Sequence, residues 1–145
     1  MKITNVTATV LRLPEISTAA DGTQDDLIIT VETDEGVIGY GEVDTAPYVG
    51  KAIVEAYMSH GTCYGLREVV VGADPFDYEQ IWNDMWAKAY YYGRFGPAMH
   101  VMSGIDMAIW DIMGKAVGKP VHKLLGGSYT DKVRAYASAL MPETP

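Results

Sequence analysis

The 145-residue sequence has a single cysteine, Cys63, and therefore cannot form a disulfide within one chain. It also contains no apolar run of the roughly 18 residues that a membrane-spanning helix requires. The N-terminal stretch MKITNVTATVLRLP alternates apolar and polar residues, so it lacks the continuous apolar block of a signal peptide. These absences predict a cytoplasmic protein that has no membrane partner.

Basic residues are also scarce. The chain carries 11 Lys and Arg against 19 Asp and Glu, which gives a formal net charge of −8. A surface of this sign repels the phosphate backbone, so we expect no nucleic-acid partner. The composition is 48% hydrophobic and only 21% charged, which is typical of a globular protein with a packed core and not of a disordered chain.

The first third of the chain has the alternating pattern of β-strands. Residues 3–13 alternate in this way, and DLIITVET (26–33) and VIGYGEV (37–43) are typical of two further strands. The loop 34–36 between the last two strands ends in a glycine, at the position where a three-residue hairpin needs a left-handed backbone. The sequence therefore predicts a three-stranded antiparallel meander.

Helical periodicity follows the meander. Residues 48–59 favour a helix, and Asp74-Pro75 supplies the N-cap and first position of another that extends to about Tyr92. Residues 98–117 favour the longest helix, and a glycine ends it. The apolar faces expected of the first and last of these helices are Val49, Ile53 and Ala56 or Tyr57, and Val101, Ile105, Ala108, Ile112 and Ala116.

Three segments are less regular. Residues 61–72 fit neither pattern. KVRAYASAL (132–140) is typical of a strand, yet it comes after all the helices and has no expected partner in the meander. The connection 14–24 is longer than a hairpin needs and is rich in small and polar residues. A loop of this length is either a functional lid or an ordinary mobile connection, and the residues alone favour neither.

The residues alone give no catalytic constellation. GYGE (39–42) has the glycine spacing of a dinucleotide loop, but it lacks the third glycine and lies within a hairpin strand. His60, His100 and His122 are far apart in sequence, and none has a neighbour at metal-ligand spacing.

The carboxylates of the longest helix do not form a pair either. Asp106 and Asp111 are five residues apart, so their side chains point about 140° away from each other on a helix. Asp111 precedes Lys115 by four residues, which predicts an ion pair on the helix surface.

A family resemblance accounts for the end of the chain. SGIDMAIWDIMGKAVGKPVHKLLGG (103–127) resembles the first signature of the mandelate racemase and muconate lactonizing enzyme family, in the enolase superfamily. Val101 departs from the family pattern, which favours a smaller residue there. The segments TDEGVIGYGE (33–42) and RAYAS (134–138) are also similar to the family, and RAYAS resembles its first barrel strand.

The resemblance implies an α+β capping domain over residues 1–127, like the N-terminal domain of enolase, with a three-stranded antiparallel meander followed by a helical layer. Residues 128–145 would begin a TIM-like (β/α) barrel domain, and the unpartnered strand would be the first strand of that barrel. A barrel of this type needs about 250 residues, so its remainder is expected outside this chain.

The resemblance also implies chemistry. Enzymes of this family abstract the proton alpha to a carboxylate, and Mg²⁺ stabilises the resulting enediolate. The bases and the Mg²⁺ ligands lie on later barrel strands, so we assign no catalytic and no metal-binding residue within 1–145. The chain alone should therefore be inert.

What the chain is expected to contribute is specificity, because two loops of the cap close over the barrel mouth. The first loop corresponds to residues 14–24, the second to Asp44–Tyr48, and one further contact lies at the end of the first barrel strand. The expected substrate-binding residues are Ile16, Thr18, Asp21, Thr45, Tyr48 and Ser138.

The expected activity is dehydration of an acid sugar, because the first loop is polar and YYYGRFGP (90–97) resembles segments of acid-sugar dehydratases. The alternatives are a racemase, epimerase or cycloisomerase of the same superfamily, or a stand-alone non-catalytic module for binding or oligomerisation. The expected partners are a small-molecule carboxylate or acid sugar and further copies of the chain. The aromatic helix 76–92 is the expected interface of such a homo-oligomer.

Overall fold

In the part of the chain that the structure describes, three antiparallel strands form one sheet in the order β1–β2–β3. They are β1 (Ile3–Arg12), β2 (Asp25–Thr33) and β3 (Ile38–Val43). The computed structural model describes residues 1–18 and 23–136 of the chain. Gly36 has a φ of 77°, the left-handed conformation expected of the loop between β2 and β3. The predicted meander is confirmed, with strand ends that differ by one residue from the prediction.

Within the described residues, five α-helices follow the sheet: α1 (Pro47–Glu55), α2 (Leu66–Val70), α3 (Tyr78–Lys88), α4 (Pro97–Ala116) and α5 (Val121–Leu124). Two 3-10 turns, Pro75–Asp77 and Ala89–Tyr91, flank α3. Helix α4 packs across β3 and β2, while α1 packs against β1. The architecture is therefore the predicted α+β arrangement of a meander and a helical layer.

The core lies between one face of the sheet and α4. Alternate residues of β2, such as Leu27, Ile29 and Val31, are completely buried, as expected for a sheet with one covered face. From α4, Ile105 and Ile112 are buried against them. The two layers thus bury one continuous apolar cluster.

Glycines allow β3 and α4 to approach each other closely. A Cβ atom on Gly41 would collide with the carbonyl oxygen of Gly104, and one on Gly39 would collide with the carbonyl oxygen of Ala108. The glycines of GYGE therefore serve backbone packing between a strand and a helix, which agrees with the rejection of a nucleotide loop.

The helix predicted over 48–59 is shorter than expected. The helix ends at Glu55 because Ala56 has an extended ψ of 139°. The carbonyl oxygen of Ala56 packs so closely on Gly65 that a Cβ on residue 65 would collide with it. The predicted face of Val49, Ile53 and Ala56 or Tyr57 was wrong except at Ile53. The residues that α1 buries are Pro47, Gly50, Ile53 and Val54.

The next two helices also differ in detail from the prediction. The Asp74 carboxylate accepts a hydrogen bond from the Phe76 N–H at 3.0 Å, so Asp74 is a cap as predicted, but the α-helix begins only at Tyr78. In α4 the predicted apolar stripe is buried except for Ala116, the last residue of the helix, which is exposed.

The strand predicted over 132–140 is not formed in its described part. Residues 132–136 are exposed and irregular, and no described strand pairs with them. A strand is stable only when its backbone groups pair with a neighbouring strand. Residues 137–140 lie outside the described residues.

Candidate functional site

The two loops expected to face a substrate leave the same end of the sheet. Arg12, the last residue of β1, is paired in register with Asp25, the first residue of β2. Val43, the last residue of β3, is paired with Leu27. The connection from β1 to β2 and the connection from β3 to α1 therefore meet at this end.

An open pocket of about 450 Å³ lies between the two loops. Its lining combines side chains from both loops with the paired strand ends. The lining residues are Arg12, Ile16, Thr23, Gln24, Asp25, Asp44 and Tyr48. The structure thus brings together Ile16 and Tyr48, one predicted residue from each loop.

Charged groups of both signs line this pocket. The Arg12 guanidinium is accompanied by the carboxylates of Asp25 and Asp44, and no described residue forms an ion pair with Arg12. Its donors remain available to a carboxylate, which a guanidinium binds in a bidentate manner, or to a hydroxyl group. Tyr48 is 68% exposed and Ile16 is 42% exposed, so both offer apolar surface to whatever covers the pocket.

The side chain of Gln24 closes the base of the first loop. Its Nε2 donates to the carbonyl oxygen of Ser17 at 2.6 Å, and its Oε1 accepts from the Ser17 N–H at 2.7 Å. Its own carbonyl oxygen accepts from the Leu13 N–H at 3.0 Å. Gln24 is one of the polar residues from which a polar loop facing the substrate was predicted. Its side-chain amide instead forms hydrogen bonds with the backbone of the loop.

The other predicted contacts are distributed differently. Thr18 is exposed and does not line the pocket. Thr45 is half-buried, and its methyl group lies 3.0 Å from where a Cβ on Gly50 would be, so it packs against α1. Asp21 and Ser138 lie outside the described residues.

Sequence reasoning missed the charged lining residues Arg12, Asp25 and Asp44. Register could have found Arg12 and Asp25, because the last residue before a hairpin connection pairs with the first residue after it. Asp44 directly follows the last residue of β3, and residues that follow strand ends are common in sites.

The carboxylates of α4 face different neighbours, as their spacing predicted. Asp106 lies beside α3, in a pocket with Tyr78 and Trp110. Asp111 accepts from the Tyr40 N–H of β3 at 3.0 Å and forms the predicted ion pair with Lys115 at 2.6 Å.

The side chains that could bind a metal ion are dispersed over the described residues. Within residues 1–18 and 23–136, no group of three His, Cys, Asp or Glu side chains is arranged to hold a metal ion. The described residues therefore do not fit a magnesium site.

Within residues 1–18 and 23–136, no helix is long and apolar enough to cross a membrane.

Comparison with known proteins identifies the family. The sequence pattern of the mandelate racemase / muconate lactonizing enzyme N-terminal domain matches residues 2–126, which contain the whole meander and all five helices. The chain belongs to this family. The resemblance seen in residues 103–127 is thereby confirmed, and these residues correspond to most of α4 and to α5 with its flanking turns.

Two curated relatives of this family domain are sugar-acid dehydratases. The chain is 40% identical over 114 residues to D-galactonate dehydratase from Pectobacterium atrosepticum, covering 77% of this chain and 27% of that protein. It is 37% identical over 117 residues to L-rhamnonate dehydratase from Saccharopolyspora erythraea, covering 81% of this chain and 28% of that protein. The chain thus spans just over a quarter of the length of these relatives.

Solved structures show the same fold. A predicted mandelate racemase from Rhodobacter sphaeroides has a TM-score of 0.76 and 35% identity, with 86% of this chain and 32% of that chain covered. The 3,6-anhydro-D-galactonate cycloisomerase from Zobellia galactanivorans has a TM-score of 0.70 and 29% identity, with 88% of this chain and 32% of that chain covered. The meander and helical layer are therefore the N-terminal domain architecture of the enolase superfamily.

Proposed function

We propose that this chain is the N-terminal capping part of an enzyme that abstracts the proton alpha to a carboxylate, and that the enzyme dehydrates an acid sugar. The observation that carries the proposal is the charged pocket at the end of the sheet, where both cap loops meet. The names of the two dehydratase relatives support the substrate class, because D-galactonate and L-rhamnonate are both polyhydroxylated carboxylates.

The pocket offers groups suited to such a substrate. The Arg12 guanidinium can bind a carboxylate or vicinal hydroxyls, while Asp25, Asp44 and Thr23 can accept from hydroxyl groups. An apolar substrate would leave these polar groups unpaired on closure, which costs free energy. Tyr48 supplies an apolar surface that helps to exclude water.

The six expected contacts remain part of the proposal. Ile16 and Tyr48 are supported by their place in the pocket, and Thr45 is proposed to act by holding the second loop on α1. Thr18, Asp21 and Ser138 are proposed to contact the substrate directly.

The proposed division of the protein places the cap at residues 1–127 and the start of a (β/α) barrel at 128–145. The catalytic bases and Mg²⁺ ligands of the proposed enzyme would come from barrel strands beyond the chain. The described residues do not offer a magnesium site.

A racemase, epimerase or cycloisomerase is the second candidate. It is supported by the structural likeness to the cycloisomerase from Zobellia galactanivorans. The two candidates differ in mass balance, because dehydration removes one water from the substrate whereas isomerisation leaves the mass unchanged.

The test is to incubate the full-length protein with Mg²⁺ and a panel of acid sugars that includes D-galactonate and L-rhamnonate, and to follow the products by mass spectrometry. Loss of one water with formation of a 2-keto-3-deoxy acid supports the dehydratase, and a product of unchanged mass supports the second candidate. If no acid sugar reacts, the proposal fails.

Arg12 provides the site-specific arm of the test. We expect Arg12→Met to raise KM about tenfold, since a hydrogen bond to a charged group contributes about 1.5–3 kcal/mol. The matched control is Arg67→Met, because Arg67 lies on α2 and does not line the pocket. If the two variants change KM equally, Arg12 does not bind the substrate.

We further propose that the enzyme is a cytoplasmic homo-oligomer. Three aromatic side chains that follow α3 are well exposed, namely Tyr90 (65%), Tyr91 (60%) and Phe95 (82%), and exposed aromatic clusters are typical of subunit interfaces. Light scattering of the full-length protein should report an oligomer, and a monomer would contradict this part of the proposal. Cell fractionation tests the compartment.

A further inference from the structure

A second pocket lies between α3 and α4 and shares no residue with the pocket at the end of the sheet. Its volume is about 330 Å³, and its lining consists of Tyr78, Glu79, Trp82, Asn83, Asp106 and Trp110. Three aromatic rings, two carboxylates and one amide thus surround one open space. Nothing in the proposed dehydration reaction uses this pocket.

The aromatic walls of this pocket are well placed to attract a cation. The rings of Tyr78 and Trp110 lie 4.9 Å apart between centroids and are inclined by 49°, and Trp82 on α3 adds a third ring. All three rings are half-buried, so their faces are partly desolvated while the pocket remains open. Tryptophan and tyrosine faces attract ammonium and guanidinium groups, more strongly where water is excluded.

The carboxylate of Asp106 is the polar group of this pocket. It is half-buried on α4, and burial raises the pKa of Asp106 above its ordinary value. No hydrogen bond or ion pair from the described residues engages it. A partly buried carboxylate costs free energy until a positive group is paired with it, and Glu79 at the exposed rim adds a second negative charge.

A guanidinium group suits these walls better than an ammonium group. Its plane can stack on the indole of Trp82 or Trp110 while two of its N–H groups donate to the Asp106 carboxylate. The pocket is too open for a free metabolite, because small-ligand sites bury about 70–90% of the ligand, whereas Glu79 and Asn83 at this rim are exposed. We propose that this pocket receives an arginine side chain from a protein surface that packs against α3 and α4.

The test uses the 145-residue chain with ¹⁵N-labelled tryptophan and N-acetyl-arginine amide as the probe. We expect the indole signals of Trp82 and Trp110 to shift with millimolar affinity. The indole of Trp86 is the internal reference, because the Arg94 guanidinium already lies 5.4 Å from its ring. The neutral isostere N-acetyl-citrulline amide should bind about tenfold more weakly, and N-acetyl-lysine amide should also bind more weakly than the arginine probe.

Asp106→Asn should weaken binding of the arginine probe about tenfold, as expected for the loss of a hydrogen bond to a charged group. The dispersion of its NMR spectrum reports whether this variant is folded. If it is not, Glu79→Gln at the exposed rim replaces it and should weaken binding by a smaller factor.

Several results would overturn the proposal. Equal affinity for the arginine and citrulline probes would show that the positive charge does not contribute to binding. Equal affinity for the arginine and lysine probes would show that the pocket does not select a guanidinium group. If the indole signals of Trp82 and Trp110 do not shift, or if the folded variant binds the arginine probe as well as the original chain does, this pocket is not an arginine site. Sub-micromolar binding of the free arginine probe would show a small-molecule site instead of a surface for a protein-borne arginine.

Discussion

The side-chain amide of Gln24 forms hydrogen bonds with both the N–H and the carbonyl group of Ser17, at 2.7 and 2.6 Å. These two bonds join the ends of the segment 18–23 within the loop between β1 and β2. Because Ile16 immediately precedes Ser17, the same bonds help to hold Ile16 at the pocket. One glutamine thereby fixes the described base of the loop for which we propose a role in specificity.

Gln24→Ala should loosen this loop without unfolding the domain. Each hydrogen bond contributes about 0.5–1.5 kcal/mol, so losing both should raise the population of the open loop about tenfold or more. A protease that cuts after glutamate should then cleave the Glu15–Ile16 bond about tenfold faster, because cleavage follows the population of the open form. Mass spectrometry of the fragments measures this rate.

The matched control for that experiment is Glu15→Gln, which removes the cleavage site and leaves Gln24 in place. In the double variant the fast cut should disappear. If Gln24→Ala is cut at Glu15 no faster than the original chain, Gln24 does not order the loop. In the proposed full-length enzyme, the same substitution should raise KM more than it lowers kcat, since we propose that the loop contacts the substrate and carries no catalytic base.

Gly41→Ala should destabilise the domain strongly. The new Cβ would collide with the carbonyl oxygen of Gly104, and it would lie 3.2 Å from the Ala108 backbone nitrogen. Since neither backbone atom can move without separating β3 from α4, we expect a loss of about 3 kcal/mol in the free energy of unfolding. Urea denaturation followed by circular dichroism measures it.

Gly61→Ala is the matched control for Gly41→Ala. A Cβ on Gly61 would meet nothing within 4 Å, so the change should stay within about 0.5 kcal/mol. Similar losses in both variants would show that the close contact between β3 and α4 does not determine the effect.

The meander could be predicted from the sequence because its signals are local. Alternation defines each strand, and one glycine defines the turn at Gly36. The end of α1 at Glu55 could not be predicted, because it depends on the packing of Ala56 against Gly65 from a later part of the chain. The strand predicted over 132–140 was wrong in its described part for a related reason. The local pattern is typical of a strand, but no described strand lies beside residues 132–136 to pair with them.

The candidate site was predictable only in part. The resemblance pointed to both loops, and Ile16 and Tyr48, one from each loop, line the same pocket. Their contact with a substrate stays a prediction. It did not reveal that Gln24 turns toward Ser17, because a polar side chain in a loop can bind its own backbone as easily as a ligand. Arg12 was missed because its place in the pocket comes from strand pairing with Asp25 and not from any motif.

Asp111→Ala should cost more than the loss of a surface ion pair. Besides its pair with Lys115, Asp111 accepts from the outward N–H of Tyr40 on the edge strand β3, and Lys115 donates to the Ile38 carbonyl oxygen at 2.7 Å. The two side chains thus satisfy backbone groups that another strand could otherwise pair with. Thermal unfolding should show a loss of about 1–2 kcal/mol.

Glu55→Ala is the comparison for Asp111→Ala. The pair Lys51–Glu55 has the same four-residue spacing, and the exposed fractions of 38% and 29% are close to the 44% and 31% of Lys115 and Asp111. Glu55 lacks a bond to a strand N–H, so its loss should cost only about 0.5 kcal/mol. Equal losses would mean that the bond to Tyr40 adds nothing.

Asp106→Asn should stabilise the chain near neutral pH, which is the opposite of its expected effect on arginine binding. Burial raises the pKa of Asp106 in the folded state, so the native chain holds this proton more tightly than the unfolded chain does. Stability from this group is therefore present at low pH and is lost as the pH rises through the raised pKa. Glu79 on the facing helix α3 lines the same pocket.

Thermal unfolding of the original chain and of Asp106→Asn across the acid to neutral range measures the effect. The variant should melt higher near neutral pH, and the two curves should converge below the ordinary aspartate pKa of about 3.9, where the native carboxyl is protonated. Asp131→Asn, at an exposed position, controls for the change in net charge. A gain that is the same at all pH values, or one that Asp131→Asn reproduces, would show that desolvation of Asp106 is not its cause.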